Sequence, residues 1–131
     1  EANRAKKENN KRVKATVSMI KEFIAGEIEK NYNMLKKGDP SGEFIQILKR
    51  EITSDNRELG NFTFCVEDFE KLKYDLVISG AEIAKDVINI YNSFQLININ
   101  RTKKYVDLTE NEKERLKNGI IKCEDIIRSL K

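Results

Sequence analysis

The sequence has 131 residues, of which 39% are hydrophobic and 36% are charged, and it contains only one proline and six glycines. This length and balance are typical of a single helical domain with a charged outer face. The chain has no histidine, so it lacks the commonest metal ligand and acid–base side chain. No stretch approaches the roughly 18 consecutive apolar residues that a membrane-spanning helix needs.

Basic side chains are concentrated at the start of the chain. Residues 1–14 contain six basic and two acidic side chains, a net charge of +4, whereas the whole chain carries +3. The chain also begins with Glu rather than Met, and a basic run in this position fits the cytoplasmic flank of a removed membrane helix. A solvated helix start explains the same pattern equally well.

These observations divide the chain into two parts. We expect residues 1–16 to be a basic polar helix start or a membrane-proximal connector, and residues 17–131 to be a helical bundle domain. The side chains expected at a membrane surface are Arg4, Lys6, Lys7, Lys11, Arg12 and Lys14.

The first predicted helix, at about 4–37, carries the longest apolar stripe. Apolar side chains recur at intervals of three and four from Val17 to Met34, but Glu27 and Asn31 fall on the same stripe. Both polar side chains should therefore point into the bundle. Burying them is costly unless other parts of the fold supply hydrogen-bond partners.

Glu27 and Asn31 allow two interpretations. They could hold a ligand or handle a proton, with the hydroxyl of Tyr91 on a later helix as a third member of the site. We favour the simpler interpretation, in which both side chains bind backbone groups of the connection 54–65 and fix its path.

Two short helices are predicted next. Gly38 should close the first helix in a left-handed conformation, and Asp39 should cap a second helix over about 40–53, with Pro40 in its first turn. Residues 54–65 are predicted to be loop, and a third helix follows at about 66–77.

Two capping boxes mark the last helices. Ser79 and Glu82 match the pattern that would open a fourth, long helix near residue 80, and Thr109 and Glu112 match it for a fifth helix over about 110–130. The sequence therefore predicts an all-α fold, an antiparallel helical bundle of three long and two short helices.

The candidate chemistry is sparse. Cys65 and Cys123 are the only cysteines, and we expect both to be free thiols, the second on the apolar stripe of the last helix. No motif for binding a metal, phosphate or nucleotide occurs in the sequence, so we expect no cofactor. No group of residues suggests catalysis, and we expect the protein not to be an enzyme.

A set of positions between about 17 and 100 resembles a family of small uncharacterised prokaryotic proteins that have one N-terminal membrane helix followed by a soluble helical domain. The matching residues are Glu27, Ile28, Asn31, Leu35, Phe69, Leu76, Ile83, Ile90, Tyr91, Phe94 and Asn98. Phe69 stands where those proteins more often carry Trp. The resemblance implies a membrane anchor upstream and adds Asn98 to the polar cluster, but it brings no known activity.

These features lead to one preferred hypothesis and two alternatives. We expect a membrane-anchored interaction or sensory module with its bundle in the cytoplasm, whose partners are an anionic membrane surface and an unidentified protein. The first alternative is a sensor that holds a small ligand between the first and fourth helices. A nucleic-acid-associated protein is the weaker alternative, because the basic segment lacks interleaved aromatic residues. The first helix could also join two copies into a homodimer.

Overall fold

The fold, in a computed structural model that describes residues 2–50, 57–60 and 62–130, is an all-α bundle, as the sequence predicts. Its helices are α1 (Ala2–Phe23), α2 (Ala25–Lys37), α3 (Glu43–Arg50), α4 (Glu67–Ser79), α5 (Glu82–Ile99) and α6 (Glu110–Ser129), and a short 3-10 turn (Tyr105–Asp107) precedes α6. With α1 and α2 counted as one bent helix, the described residues form the predicted three long and two short helices.

The bend between α1 and α2 is at Ile24, whose backbone leaves the helical region with φ −120°. The hydrogen-bond ladder nevertheless continues through it: Ile24 N–H donates to Ile20 O at 2.9 Å, and Ile28 N–H donates to Ile24 O at 3.0 Å. The apolar stripe therefore continues across the bend, which redirects the helix without interrupting its buried face.

The start of α3 differs from the prediction. Gly38 has φ −79°, an ordinary right-handed conformation, so the predicted left-handed closure is wrong. Asp39 does act as a cap, since its carboxylate accepts from Phe44 N–H at 3.1 Å and Ile45 N–H at 3.0 Å. Because a turn over 40–42 intervenes, the helix begins at Glu43. The predicted end of this helix, 51–53, lies outside the described residues.

The two predicted capping boxes have different outcomes. Thr109 and Glu112 form the complete reciprocal box at the start of α6. Ser79 forms none, because it is the last residue of α4 and its hydroxyl lies 2.6 Å from the hydroxyl of Thr16 on α1. Gly80, with φ 65°, closes α4, and α5 begins without a side-chain cap.

The core forms around α5, which packs antiparallel to both α4 and α6. The side chains of Phe69 and Tyr91 stack between α4 and α5 with ring centroids 4.2 Å apart. On the opposite side of α5, Ser93 donates its hydroxyl to the carbonyl oxygen of Arg115 on α6 at 2.9 Å. Every residue just named except Arg115 is buried, and α1, α2 and α3 close the remaining sides of this core.

None of the helices in the described part of the chain is long and apolar enough to cross a membrane. A spanning helix needs about 20 predominantly apolar residues. The first half of α1 is instead polar and basic. The prediction of a membrane-anchored protein is therefore wrong for the chain that the structure describes.

Candidate functional site

A buried polar cluster surrounds the extended segment 62–66, which leads into α4. Asn31 on α2 donates its amide to Cys65 O at 2.8 Å and accepts from Cys65 N–H at 2.9 Å. Asn98 on α5 makes the same pair of bonds with Phe64, at 3.1 and 2.8 Å. Each side-chain amide thus offers the donor and acceptor that a neighbouring β-strand would otherwise provide.

Glu27 lies at the N-terminus of α4, where backbone N–H groups lack partners within the helix. Its carboxylate accepts from Asp68 N–H at 2.8 Å, Phe69 N–H at 3.2 Å and the Tyr91 hydroxyl at 2.6 Å. The Cys65 thiol donates to it at 3.4 Å. A carboxylate in this position also complements the positive end of the helix dipole. Glu27 therefore caps α4 from a different helix.

The burial of Glu27 and Asn31 and the raised pKa of Tyr91 agree with these hydrogen bonds. Only 6% of Glu27 and 1% of Asn31 are exposed. Both side chains therefore form their hydrogen bonds with groups of the chain and not with water. Burial, and then the hydrogen bond to Glu27, raise the pKa of Tyr91 far above its ordinary value. The tyrosine hydroxyl consequently remains a protonated donor at any ordinary pH.

The structure brings Glu27, Asn31 and Tyr91 together around one crossover, and it places Asn98 on the other side of the same segment. In the sequence analysis only the family resemblance, and not periodicity, pointed to Asn98, which lies inside α5. A signal was present: Asn98 follows Tyr91 by seven residues, the spacing that returns to the same helix face. The thiol of Cys65 was not anticipated as a donor to Glu27.

An open groove of about 330 Å³ runs beside this cluster, and Glu27 and Cys65 form part of its wall. None of Asn31, Tyr91 and Asn98 is among the described residues that line it. The described residues also contain no group of three or more Cys, Asp or Glu side chains placed to hold a metal ion. Asn31, Tyr91 and Asn98 therefore lie away from the groove, and only Glu27 of the polar cluster borders it.

Cys65 and Cys123 are both free thiols. Burial, with a smaller contribution from the Glu124 carboxylate, raises the pKa of Cys123 to about 12. The thiolate is the nucleophilic form, so Cys123 is a chemically inert core residue at neutral pH.

The basic residues of the sequence form a separate feature, the basic arm, which we define as residues 2–15 of α1. The side chains of residues 6–15 are all exposed, and Thr16, the next residue, is buried. The exposed basic side chains are Lys6, Lys7, Lys11, Arg12 and Lys14, and Arg4 lies in the same helix. At 1.5 Å per residue, the arm extends about 21 Å.

The basic arm and the polar cluster share no residue and lie on opposite ends of α4. Thr16, the residue that follows the arm, contacts Ser79 at the C-terminus of α4, whereas Glu27 caps the N-terminus of α4. Packing of an apolar face supplies most of the stability of a protein helix, and a polar helix of this length is marginal alone. The arm therefore gains little from the bundle.

Comparison of the chain with protein-family models, with curated proteins and with solved structures gives no match. The likeness to prokaryotic proteins with an N-terminal membrane helix is therefore wrong, because no family model supports it and no described helix could span a membrane.

Proposed function

We propose that this chain is a helical interaction module that binds an acidic protein surface through the basic arm. The observation that carries the proposal is the run of ten consecutive exposed side chains at 6–15, with five basic groups and one acidic group. A bundle does not need such a helix for its own core.

The physical basis is long-range electrostatic attraction. Clustered exposed charges raise the rate of encounter with an oppositely charged partner, and salt screens this effect over about 8–10 Å at physiological ionic strength. Contact with a partner would also stabilise the marginal helix of the arm. Binding should therefore be salt-dependent and should increase the helicity of the arm.

The small-ligand sensor has weaker support than the interaction module. A ligand at Glu27 would have to displace the Asp68 and Phe69 amides, and a ligand at Asn31 would have to displace the backbone of Cys65. Leaving a buried donor unpaired costs about 1–3 kcal/mol for each group. The exposed arm can bind a partner at no such cost.

The test measures binding of the full chain to fluorescent poly-L-glutamate by anisotropy at low and high salt. Replacing the five exposed basic residues of the arm by glutamine should weaken binding at low salt by about fivefold or more, if each exposed pair contributes about 0.2–1 kcal/mol. The variant should also lose most of the salt dependence. The matched control carries five exposed lysines outside the arm replaced by glutamine: Lys21, Lys30, Lys37, Lys85 and Lys104.

Two results would contradict the proposal. Equal weakening in the arm variant and in the control would mean that net charge alone causes binding. Tighter arm-dependent binding to single-stranded RNA or to phosphatidylserine vesicles than to poly-L-glutamate would assign the arm to a different class of partner.

A further inference from the structure

The base of the basic arm is held by two hydrogen bonds in series. Thr16, which is 4% exposed, donates its hydroxyl to Arg12 O at 2.9 Å. A threonine hydroxyl has only one hydrogen, so the Ser79 hydroxyl is the donor in its 2.6 Å contact with Thr16. The bonds therefore lead from the end of α4, through Thr16, to the backbone of the arm. Hydrogen bonds in such a series polarise and strengthen one another.

The register of α4 against the bent first helix indicates that the contact between Thr16 and Ser79 is a fixed part of the fold. Glu27 follows Thr16 by eleven residues, and Asp68, whose N–H donates to Glu27 at 2.8 Å, precedes Ser79 by eleven residues. Both ends of α4 are thus tied to the bent helix at matching positions of an antiparallel pair. The backbone of Arg12 is consequently fixed relative to the bundle.

The positive charge of the arm is concentrated next to this anchor. Residues 10–15, which we call the inner segment, contain three basic groups and no acidic group. Residues 2–9, which we call the outer segment, contain three basic groups and the acidic Glu8. The outer segment also includes the first turn of α1, which has no acidic residue, and the helix dipole disfavours cations at that end. The inner segment therefore carries more positive charge per residue and is the easier part to keep helical.

We propose that the inner segment, preformed as a helix by the contact between Thr16 and Ser79, is the docking surface for the acidic partner, and that the outer segment contributes little. Lys11 and Lys14 lie three residues apart on one side of the helix and nearly opposite Thr16, so the anchor and the partner do not compete for one face. This inference rests on the proposed function and specifies which part of the arm recognises the partner.

The length of the inner segment also specifies the acidic group that it fits. Six helical residues extend about 9 Å, which matches about three residues of an extended acidic segment. A short run of Asp or Glu on the partner is therefore sufficient, and the partner does not need an acidic stretch as long as the whole arm.

Preorganisation is the physical reason for the difference between the two segments. A side chain on an ordered helix loses less conformational entropy on binding than one whose helix must form at the same time. A helix is costly to start and cheap to extend from an existing turn. The turn from Arg12 to Thr16 supplies that start for the inner segment, whereas Lys6 and Lys7 are at least nine residues from Thr16.

The first experiment compares two variants of the full chain that each lose two positive charges, K11Q/K14Q in the inner segment and K6Q/K7Q in the outer segment. Anisotropy with fluorescent poly-L-glutamate at low salt measures both affinities. K11Q/K14Q should weaken binding by about threefold or more, and K6Q/K7Q by less than about twofold. A loss in K6Q/K7Q as large as that in K11Q/K14Q would overturn the inference.

The second experiment tests the anchor without changing any charge. T16V/S79A removes both hydroxyls, so that neither is left without its partner. NMR Cα chemical shifts of residues 10–15 should become less helical, and the affinity for poly-L-glutamate should fall by about two- to tenfold, the effect of one hydrogen bond. Thr16→Ser keeps the hydroxyl and should retain the wild-type shifts and affinity, as should the control Ser18→Ala at an exposed position of α1. Unchanged shifts in α5 would show that the bundle stays folded.

The outcomes separate this inference from the proposed function. If T16V/S79A binds poly-L-glutamate like the wild type, the preformed docking surface is overturned, while the interaction module stands. If the variant that lacks all five exposed basic residues of the arm also binds like the wild type, both proposals fail.

Discussion

Replacing Glu27 by leucine is expected to lower the free energy of unfolding by about 3–5 kcal/mol. The substitution removes the acceptor of four hydrogen bonds at once, from Asp68 N–H, Phe69 N–H, the Tyr91 hydroxyl and the Cys65 thiol. An unpaired buried donor costs about 1–3 kcal/mol, which outweighs the gain from burying a leucine side chain. Chemical denaturation followed by circular dichroism measures the change.

The control for Glu27→Leu is Glu22→Leu, the same chemical change at an exposed position of α1. It should alter stability by no more than about 0.5 kcal/mol. If the leucine variant does not fold, Glu27→Gln, which keeps one acceptor oxygen, should show a smaller loss and should bind poly-L-glutamate like the wild type. Similar stability of the Glu22 and Glu27 leucine variants would contradict a capping role for Glu27.

Gly119→Ala is expected to destabilise the protein by about 2 kcal/mol, although alanine is the better helix former by about 1 kcal/mol. Gly119 lies on α6 where it meets α5, and an added Cβ would lie 2.5 Å from the Cβ of Ser93 and closer still to its hydroxyl oxygen. Rotation of the serine side chain cannot relieve the contact with its Cβ. The two helices must separate, and the hydrogen bond from Ser93 to Arg115 would be disturbed.

Two further variants make this prediction specific. Gly26→Ala, at a helical glycine with no other atom within 4 Å of the added Cβ, should stabilise the protein by up to about 1 kcal/mol. Ser93→Gly combined with Gly119→Ala should recover part of the lost stability, because it removes the clashing side chain. Thermal unfolding of the four proteins measures the series. A Gly119→Ala variant as stable as the wild type would refute the close approach of α5 and α6.

The long helices and the burial of Glu27 and Asn31 could be predicted because both follow from periodicity alone. Side chains that recur every three or four residues share one helix face, whether they are apolar or polar. The partners of these polar side chains could not be predicted. Cys65, Asp68 and Phe69 lie more than 30 residues away, and the path of the segment 62–66 decides which of their backbone groups meet the cluster.

The sequence was misleading in two places. At Ser79 a tertiary contact outweighed a local capping signal, and in residues 1–14 the charge pattern fitted more than one kind of partner. Ser79 and Glu82 match a capping box, but the contact of Ser79 with Thr16 and the left-handed Gly80 end α4 at that point instead. Positive charge in residues 1–14 attracts an acidic protein by the same electrostatics as an anionic membrane. The sequence therefore revealed the charge of the arm without distinguishing its partner.

Amide hydrogen exchange of the unmodified chain tests the central claim most directly, namely that polar side chains of α2 and α5 hold the segment 62–66 and cap α4. The amides of Phe64, Cys65, Asp68 and Phe69 should exchange only through global unfolding, as slowly as the amides in the middle of α5. Exchange of these four amides orders of magnitude faster than that of α5 would contradict the claim.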